Sequence, residues 1–235
     1  MRVIGLTGGI GMGKSTAAAA FRRARLPVFD ADAEVHRLQA DGGAALPAIA
    51  AGFPGTVRAR GGVLSLDRPA LRSAVIGNEV ALRRLEAILH PMVRAAEAAF
   101  LARARRSRAP AAVLYVPLLL ETGGERRVDT VLVVSAPRPV QVRRVARRRR
   151  MTPEQSAAVI ARQMPDAEKR RRADVVVQTG LSRRHAQRAL RRFILGLLRQ
   201  RPAAAVASAA AAGSPRRPRC GARGLLGRPR SRRTP

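Results

Sequence analysis

Four glycines crowd residues 8–15, directly ahead of a lysine and a serine, in the stretch GGIGMGKS. The stretch matches the full spacing G-x-x-x-x-G-K-[ST]. Such a loop can turn its backbone N–H groups toward phosphate oxygens because few side chains obstruct them, and a helix that begins at the lysine adds partial positive charge. We therefore predict that a nucleotide phosphate binds to Gly9, Ile10, Gly11, Met12, Gly13, Lys14, Ser15 and Thr16.

Two side chains of this loop have chemical roles beyond those of the backbone. Lys14 is placed to reach the β and γ phosphates, and the hydroxyl of Ser15 to ligate Mg²⁺. The motif alone does not separate a kinase from a GTPase or a motor ATPase, so the rest of the chain must decide.

A pair of carboxylates, Asp30 and Asp32, follows the second apolar run of the chain. Ligands of open α/β sheets bind outside the carboxyl ends of the strands. A carboxylate at that position can accept a proton from a hydroxyl group or hold Mg²⁺ through water. Aspartate is also a favoured helix cap. We expect one of the two residues to be a cap and the other, Asp32, to face the phosphates.

Short apolar runs that alternate with helical stretches must position these residues. Such runs are typical of strands buried on both faces, and their alternation with helices predicts a parallel α/β sheet. The predicted strands are Val3–Thr7, Leu26–Asp30, Ala111–Tyr115, Thr130–Val134 and Val175–Val177. The first helix is predicted over Lys14–Arg25.

Residues 33–109 contain no convincing strand and predict a helical insert between two strands of the sheet. Its helices are expected near Leu46–Ala51, Arg68–Ile76 and Val80–Arg105, the last with a break at His90–Pro91. Residues 201–235 carry nine arginines and no acid among Ala, Pro, Gly and Ser, which predicts a disordered tail after a domain of residues 1–200.

The formal charge of +31 points to anionic partners. Of the 46 basic residues, only Lys14 and Lys169 are lysines, so the charge largely reflects a bias toward arginine, and Lys14 is informative as an exception. The single Cys220 excludes an internal disulfide, and no stretch has the length and apolarity of a membrane helix. We expect a cytoplasmic monomer with no membrane contact.

The motifs together, in this order and spacing, resemble the dephospho-coenzyme A kinase family over about residues 1–195. The segments that carry the resemblance are GLTGGIGMGKST, FDADAEVHRL, LEAILHPMV, VPLLLE, the run from Gln141 to Arg144, and ADVVVQTG. The resemblance implies a P-loop three-layer sandwich with a five-stranded parallel sheet, a helical substrate-binding insert over about 33–109 and an arginine-bearing lid over about 138–170.

The same resemblance implies a reaction and its site. ATP, with Mg²⁺, would phosphorylate the ribose 3′-hydroxyl of dephospho-CoA, the last step of coenzyme A synthesis. Asp32 would orient or deprotonate that hydroxyl, with Lys14 and the lid arginine Arg144 as its catalytic partners. His90, Pro117 and Leu118 would lie on the substrate side, and residues 173–180 would approach the adenine of ATP. Glu121, after the third strand, is interpreted as a cap rather than a ligand.

Three positions depart from the pattern of the family, and two alternative functions stay open. Tyr115 stands where many relatives have an acid, Val159 where an arginine is common, and Gln178 where an asparagine is usual. One alternative is another P-loop nucleoside or nucleotide kinase. The other is an arginine-rich nucleic-acid-binding protein, although aromatic residues for base stacking make up only 3% of the chain. We expect weak, salt-sensitive binding of nucleic acid through the basic tail.

Overall fold

Five parallel strands form a sheet in the spatial order β2-β5-β1-β6-β7, in a computed structural model that describes residues 1–199. The strands are β1 (Arg2–Thr7), β2 (Val28–Asp30), β5 (Ala111–Tyr115), β6 (Thr130–Ser135) and β7 (Val175–Gln178). The predicted α/β sandwich with a five-stranded parallel sheet is thereby confirmed. The predicted tail, residues 201–235, lies outside the described residues.

Helices cover both faces of the sheet, which explains why its strands are apolar throughout. On one face, α1 (Lys14–Arg23) and α9 (Arg183–Arg199) pack together on the sheet, where Phe21 meets Phe193 edge to face at a centroid separation of 6.3 Å. On the other face, Phe100 of the long helix α5 (Glu79–Arg106) packs on Phe29 of β2. The sheet is therefore the middle layer of three.

The insert between β2 and β5 has a core of its own, built from Leu38, Ile49, Phe53, Leu71 and Leu89. Its helices are α2 (Ala31–Leu38), α3 (Leu46–Gly52), α4 (Arg68–Val75) and α5 (Glu79–Arg106). These amphipathic helices pack around a shared apolar cluster. They hold the chain that follows β2 in place and contribute no strand to the sheet.

The prediction that residues 33–109 contain no strand is wrong. The insert includes an antiparallel hairpin of β3 (Val57–Arg60) and β4 (Val63–Leu66). Its two-residue turn is Gly61-Gly62, with φ of 55° and 80°, and glycine takes these positive φ angles at no steric cost. A Gly-Gly pair between two short strand-length segments is a known hairpin signal, and the sequence carried that pair.

The predicted helix break at His90–Pro91 is also wrong. Helix α5 runs through Pro91 for 28 residues. Proline removes one backbone hydrogen bond from a helix interior. Residues on both sides of it, Ile88 and Leu89 before and Met92 and Val93 after, pack against the insert cluster, and this packing holds the helix together across the proline.

Three helices between β6 and β7 form the region predicted as the lid. They are α6 (Arg138–Arg149), α7 (Pro153–Ala161) and α8 (Asp166–Arg171). Thr152 and Gln155 form a capping box that starts α7. Across residues 1–199, no helix combines the length and the apolar character needed to cross a membrane.

Candidate active site

The phosphate loop joins the carboxyl end of β1 to α1, and its backbone explains its glycines. Gly8 has φ 145°, and a Cβ added there would lie 2.4 Å from the carbonyl oxygen of Val134. Gly11 and Gly13 have φ of 74° and 94°. Two reasons therefore favour glycine at position 8: its positive φ and its close approach to β6. A side chain at Gly13 would contact only Thr179, at 3.6 Å.

The first turn of α1 presents unpaired backbone donors. The helix begins at Lys14 with Gly13 as its cap residue, and no side chain caps it. The N–H groups of Lys14, Ser15 and Thr16 therefore have no partner within the helix, and the helix dipole adds positive charge at the same point. Ser15 and Thr16 are exposed. This end of the helix is built to receive an anion.

The ammonium group of Lys14 folds back over the loop. Its Nζ donates to the carbonyl oxygens of Gly8 at 2.8 Å and Gly9 at 3.0 Å. Burial lowers the pKa of Lys14 to about 8, and the positive charge of Lys169 acts in the same direction, while Asp32 and Glu121 oppose the shift. Phosphate oxygens would offer this amine better partners than two carbonyls.

The two aspartates after β2 have separate roles. The carboxylate of Asp30 accepts from Ala33 N–H at 3.1 Å and caps α2, so the expectation that one of the pair is a cap is correct. Asp32 lies in the first turn of α2 and faces the phosphate loop. Burial, followed by the charge of Asp30, raises the pKa of Asp32, while Lys14 opposes the rise.

A cleft of about 320 Å³ brings most of the predicted catalytic residues together. Its walls include Lys14, Asp32, Pro117 and Arg144. The hydroxyl of Thr7, at the end of β1, donates to Pro117 O at 2.9 Å and fixes that wall. The cleft therefore has a cation and a carboxylate at the carboxyl edge of the sheet, where ligands of such sheets bind.

Arg144 ties α6 to the loop after β7. Its Nη2 donates to Thr179 O at 2.7 Å, and its Nη1 donates to Thr179 Oγ1 at 3.1 Å. A second cavity of about 360 Å³ adjoins it, lined by Gly13, Thr16, Arg144 and Thr179 together with residues of α9. Arg144 therefore borders both cavities.

Two residues predicted for the substrate side do not line the cleft. His90 is exposed on α5, and Leu118 is 46% exposed. Tyr115, one of the three departures, does line it, and its Cα pairs in register with Asp30 on β2. Burial, together with Asp30 and Asp32, raises the pKa of the Tyr115 hydroxyl, which stays protonated as a hydrogen-bond donor near these carboxylates.

Sequence reasoning missed a buried ion pair next to the cleft. Lys169 of α8 is 0% exposed, and its Nζ lies 2.5 Å from Oε1 of Glu121. Glu121 sits in a turn and pairs with this lysine, so its predicted role as a helix cap is wrong. The signal was present, since Lys169 is the other lysine of an arginine-rich chain, and the argument that singled out Lys14 applies to it equally.

The residues fit a metal that arrives with a nucleotide. Among residues 1–199, no three His, Cys, Asp or Glu side chains come together as a metal cage. The exposed Ser15 hydroxyl stands beside the unpaired amides of α1, which is the arrangement Mg²⁺ needs when substrate phosphates supply its other ligands. A phosphate loop on a parallel sheet, with a carboxylate across the cleft, defines the class of P-loop kinases.

Comparison with known proteins identifies the member of this class. The sequence pattern of the dephospho-CoA kinase family matches residues 2–183. The dephospho-CoA kinase of Rhodopseudomonas palustris is 54% identical over 179 residues, which cover 76% of this chain and 87% of the relative. That of Brucella melitensis is 50% identical over 205 residues, or 87% of this chain and 99% of the relative. The chain belongs to the dephospho-CoA kinase family.

Two solved structures share the fold. The crystal structure of TT1252 from Thermus thermophilus superposes with a TM-score of 0.72 at 36% identity, over 84% of this chain and 97% of that one. The dephospho-CoA kinase from Campylobacter jejuni superposes with a TM-score of 0.58 at 20% identity, over 83% of this chain and 97% of that one. The second match supports the fold alone.

Proposed function

We propose that this chain transfers the γ-phosphoryl group of ATP to the ribose 3′-hydroxyl of dephospho-CoA, giving coenzyme A and ADP, in the cleft between Lys14 and Asp32. Membership of the family makes ATP-dependent phosphorylation of dephospho-CoA its reaction. The observation that carries the assignment to this cleft is that Lys14 and Asp32 line the same cleft, beside the unpaired amides of α1, and lie close enough for their charges to interact.

The phosphates of ATP would lie over the start of α1. The free N–H groups of Lys14, Ser15 and Thr16 converge there, and Lys14 would exchange its two carbonyl partners for phosphate oxygens. Charge-assisted hydrogen bonds of this kind are about twice as strong as neutral ones. The adenine would enter the second cavity, between Thr16 and Thr179, with Arg144 on its rim.

Asp32 would accept a hydrogen bond from the 3′-hydroxyl and direct its oxygen at the γ-phosphorus. Burial and Asp30 raise the pKa of Asp32, which makes it a better proton acceptor than a solvated carboxylate. The transition state of phosphoryl transfer is loose, so positioning and charge stabilisation matter more than base strength. Loss of Asp32 should therefore lower turnover less than loss of Lys14.

Arginines of α6 would complete the charge balance above the phosphates. Arg144 and Arg148, one helical turn apart, both line the cleft. Arginine presents a planar fork that contacts two phosphate oxygens at once. When bound to the phosphates, Mg²⁺ would neutralise part of their negative charge, with the Ser15 hydroxyl as its ligand from the protein.

The acceptor would enter from the side of the insert. Pro117 lines the cleft directly, while His90 and Leu118 would contact parts of dephospho-CoA that extend beyond it. The cytoplasmic location and monomeric state expected from the sequence stay predictions.

The test is ADP release by the purified chain with ATP and Mg²⁺, comparing dephospho-CoA with adenosine, AMP and no acceptor. We expect release with dephospho-CoA alone, a loss of more than about 100-fold in Lys14→Ala, and a smaller loss in Asp32→Asn. Asp67→Asn is the matched control, because Asp67 caps α4 within the insert and does not line the cleft. Equal losses in the two aspartate variants would contradict the role of Asp32.

A further inference from the structure

Both backbone polar groups of Ile10, at the tip of the phosphate loop, are bonded to glutamine side chains of the lid region. Gln163 Oε1 accepts from Ile10 N–H at 2.8 Å, and Gln141 Nε2 donates to Ile10 O at 2.9 Å. The partners are 153 and 131 residues away in sequence. A single residue of the loop is thus held on both of its peptide units, through its N–H and through its C=O. Gln141 and Gln163 together are called the glutamine clamp.

The clamp has a fixed donor and acceptor pattern. A backbone N–H only donates and a carbonyl only accepts, so each amide group has one orientation that satisfies Ile10. Gln141 is 3% exposed on α6, and Gln163 follows α7 in the connection to α8. Helix α6 and the segment after α7 therefore meet at the same residue, Ile10.

The clamp acts on the tip of the phosphate loop. Within the loop, Met12 N–H donates to Gly9 O at 3.2 Å. A Cβ added at Gly9 would lie 3.0 Å from Gln141 Nε2, so the glycine lets the clamp close on the backbone. A glycine-rich loop loses much conformational freedom when it is ordered, and a loop that is held before ATP arrives loses less on binding.

We propose that Gln141 and Gln163 are positioning residues that hold the phosphate loop in its ATP-binding shape and couple it to the lid. The proposal rests on the proposed function, because it takes the phosphates of ATP to lie on this loop. Neither glutamine needs to touch ATP, since both act through the backbone of Ile10. With the clamp closed, the N–H of Ile10 is occupied, and Ile10 serves as the anchor of the loop while its neighbours serve the phosphates.

The donor and acceptor pattern gives a test that overall destabilisation cannot imitate. Gln163→Glu keeps an acceptor for Ile10 N–H, whereas Gln141→Glu removes the donor to Ile10 O and sets a carboxylate against a carbonyl. Both variants add one negative charge near the same loop. We expect the KM for ATP to rise at least about five-fold more in Gln141→Glu than in Gln163→Glu, with the KM for dephospho-CoA within about two-fold of wild type.

Neutral variants complete the design. Gln141→Met and Gln163→Met remove one hydrogen bond each, and each should raise the KM for ATP by about three- to ten-fold. Gln155→Met is the control, because it weakens the cap of α7 in the same lid region and leaves the clamp intact. Its KM for ATP should match wild type even where its melting temperature falls.

The outcomes separate the clamp from the proposed function. If Lys14→Ala loses ADP release while both methionine variants keep the wild-type KM for ATP, the clamp is refuted and the active-site assignment stands. If Lys14→Ala retains wild-type ADP release, both fail. Equal effects of the two glutamate substitutions would also refute the clamp, because charge alone would then explain them.

Discussion

Replacing either partner of the ion pair between Lys169 and Glu121 should destabilise the fold, but by different amounts. Lys169 is 0% exposed, whereas the side chain of Glu121 is 21% exposed. Glu121→Gln leaves a fully buried ammonium group without a counter-charge. Lys169→Met leaves a carboxylate that still reaches water and fills the space of the lysine with an apolar chain. We expect Glu121→Gln to destabilise the fold more than Lys169→Met.

The magnitudes follow from the burial of the group left behind. Removing one partner of a buried ion pair costs about 3–5 kcal/mol, which applies to the stranded Lys169 in Glu121→Gln. In Lys169→Met, the carboxylate of Glu121 loses its partner but keeps part of its hydration. The free energy of unfolding should therefore fall by about 1–3 kcal/mol, the cost of one polar group left without a hydrogen bond. The difference between the two variants should be about 2 kcal/mol, and the double variant should cost less than the sum.

Urea unfolding at pH 7, followed by far-ultraviolet circular dichroism, measures these free energies; the chain has no tryptophan for a fluorescence probe. Arg83→Met is a control, because Arg83 forms an exposed ion pair with Glu79, and it should change stability by less than about 1 kcal/mol. A Lys169→Met variant at least as unstable as Glu121→Gln would refute the reasoning, because the stranded carboxylate would then be the costlier group.

Three further predictions concern the phosphate loop and the tail. Gly8→Ala should destabilise the fold by at least about 2 kcal/mol more than Gly13→Ala in the same unfolding assay, and equal losses of stability would contradict the loop geometry. The reason is that a Cβ at Gly8 would lie 2.4 Å from a backbone oxygen, whereas a Cβ at Gly13 would have no neighbour closer than 3.6 Å. The pKa of Lys14 is lowered to about 8, so its ammonium is charged below pH 8 and neutral above it. If ATP binding restores the charge of Lys14, binding should take up few protons at pH 7 and nearly one at pH 9, and the affinity for ATP should fall above pH 8. Calorimetry in two buffers of different ionisation enthalpy measures this uptake. A proton uptake that does not change with pH would exclude Lys14 as the titrating group. Removal of residues 201–235 takes away nine arginines, so binding of nucleic acid at low salt should weaken steeply while ADP release with dephospho-CoA is unchanged, and undiminished binding in a filter assay would rule out the tail as its source.

The sheet and the phosphate loop could be predicted because their signals are local. Strands buried on both faces are largely apolar, so the sequence predicts all five, one with the bounds that it has and four with one end shifted by one or two residues. The predicted first helix ends earlier than expected, at Arg23, because Arg25 takes a left-handed backbone with φ 58°. The loop motif, the capping role of Asp30 and the placement of Asp32 likewise follow from neighbours in sequence.

Apart from the hairpin of β3 and β4, whose Gly-Gly signal is local, the features that sequence reasoning missed depend on contacts between distant segments. Pro91 is a helix breaker by local rules, and only the packing of the apolar residues around it against the insert keeps α5 continuous. The partner of Glu121 is 48 residues away, and the partners of Ile10 are farther still. No sequence motif has a fixed spacing between these partners, so the sequence alone does not predict the contacts. They form only when the folded sheet brings α6, α8 and the segment after α7 next to the phosphate loop.

The scarcity of lysine gives this chain an unusual chemical surface. Amine-acylating reagents attack neutral ε-amino groups, and the whole sequence has two of them, Lys14 and Lys169. Lys169 is sealed in the interior, while Lys14 has a pKa of about 8 and lines an open cleft. Reagents that label most proteins at many lysines would therefore modify the folded chain only at its N-terminus and at Lys14. The extent of labelling at Lys14 would report whether the phosphate site is occupied.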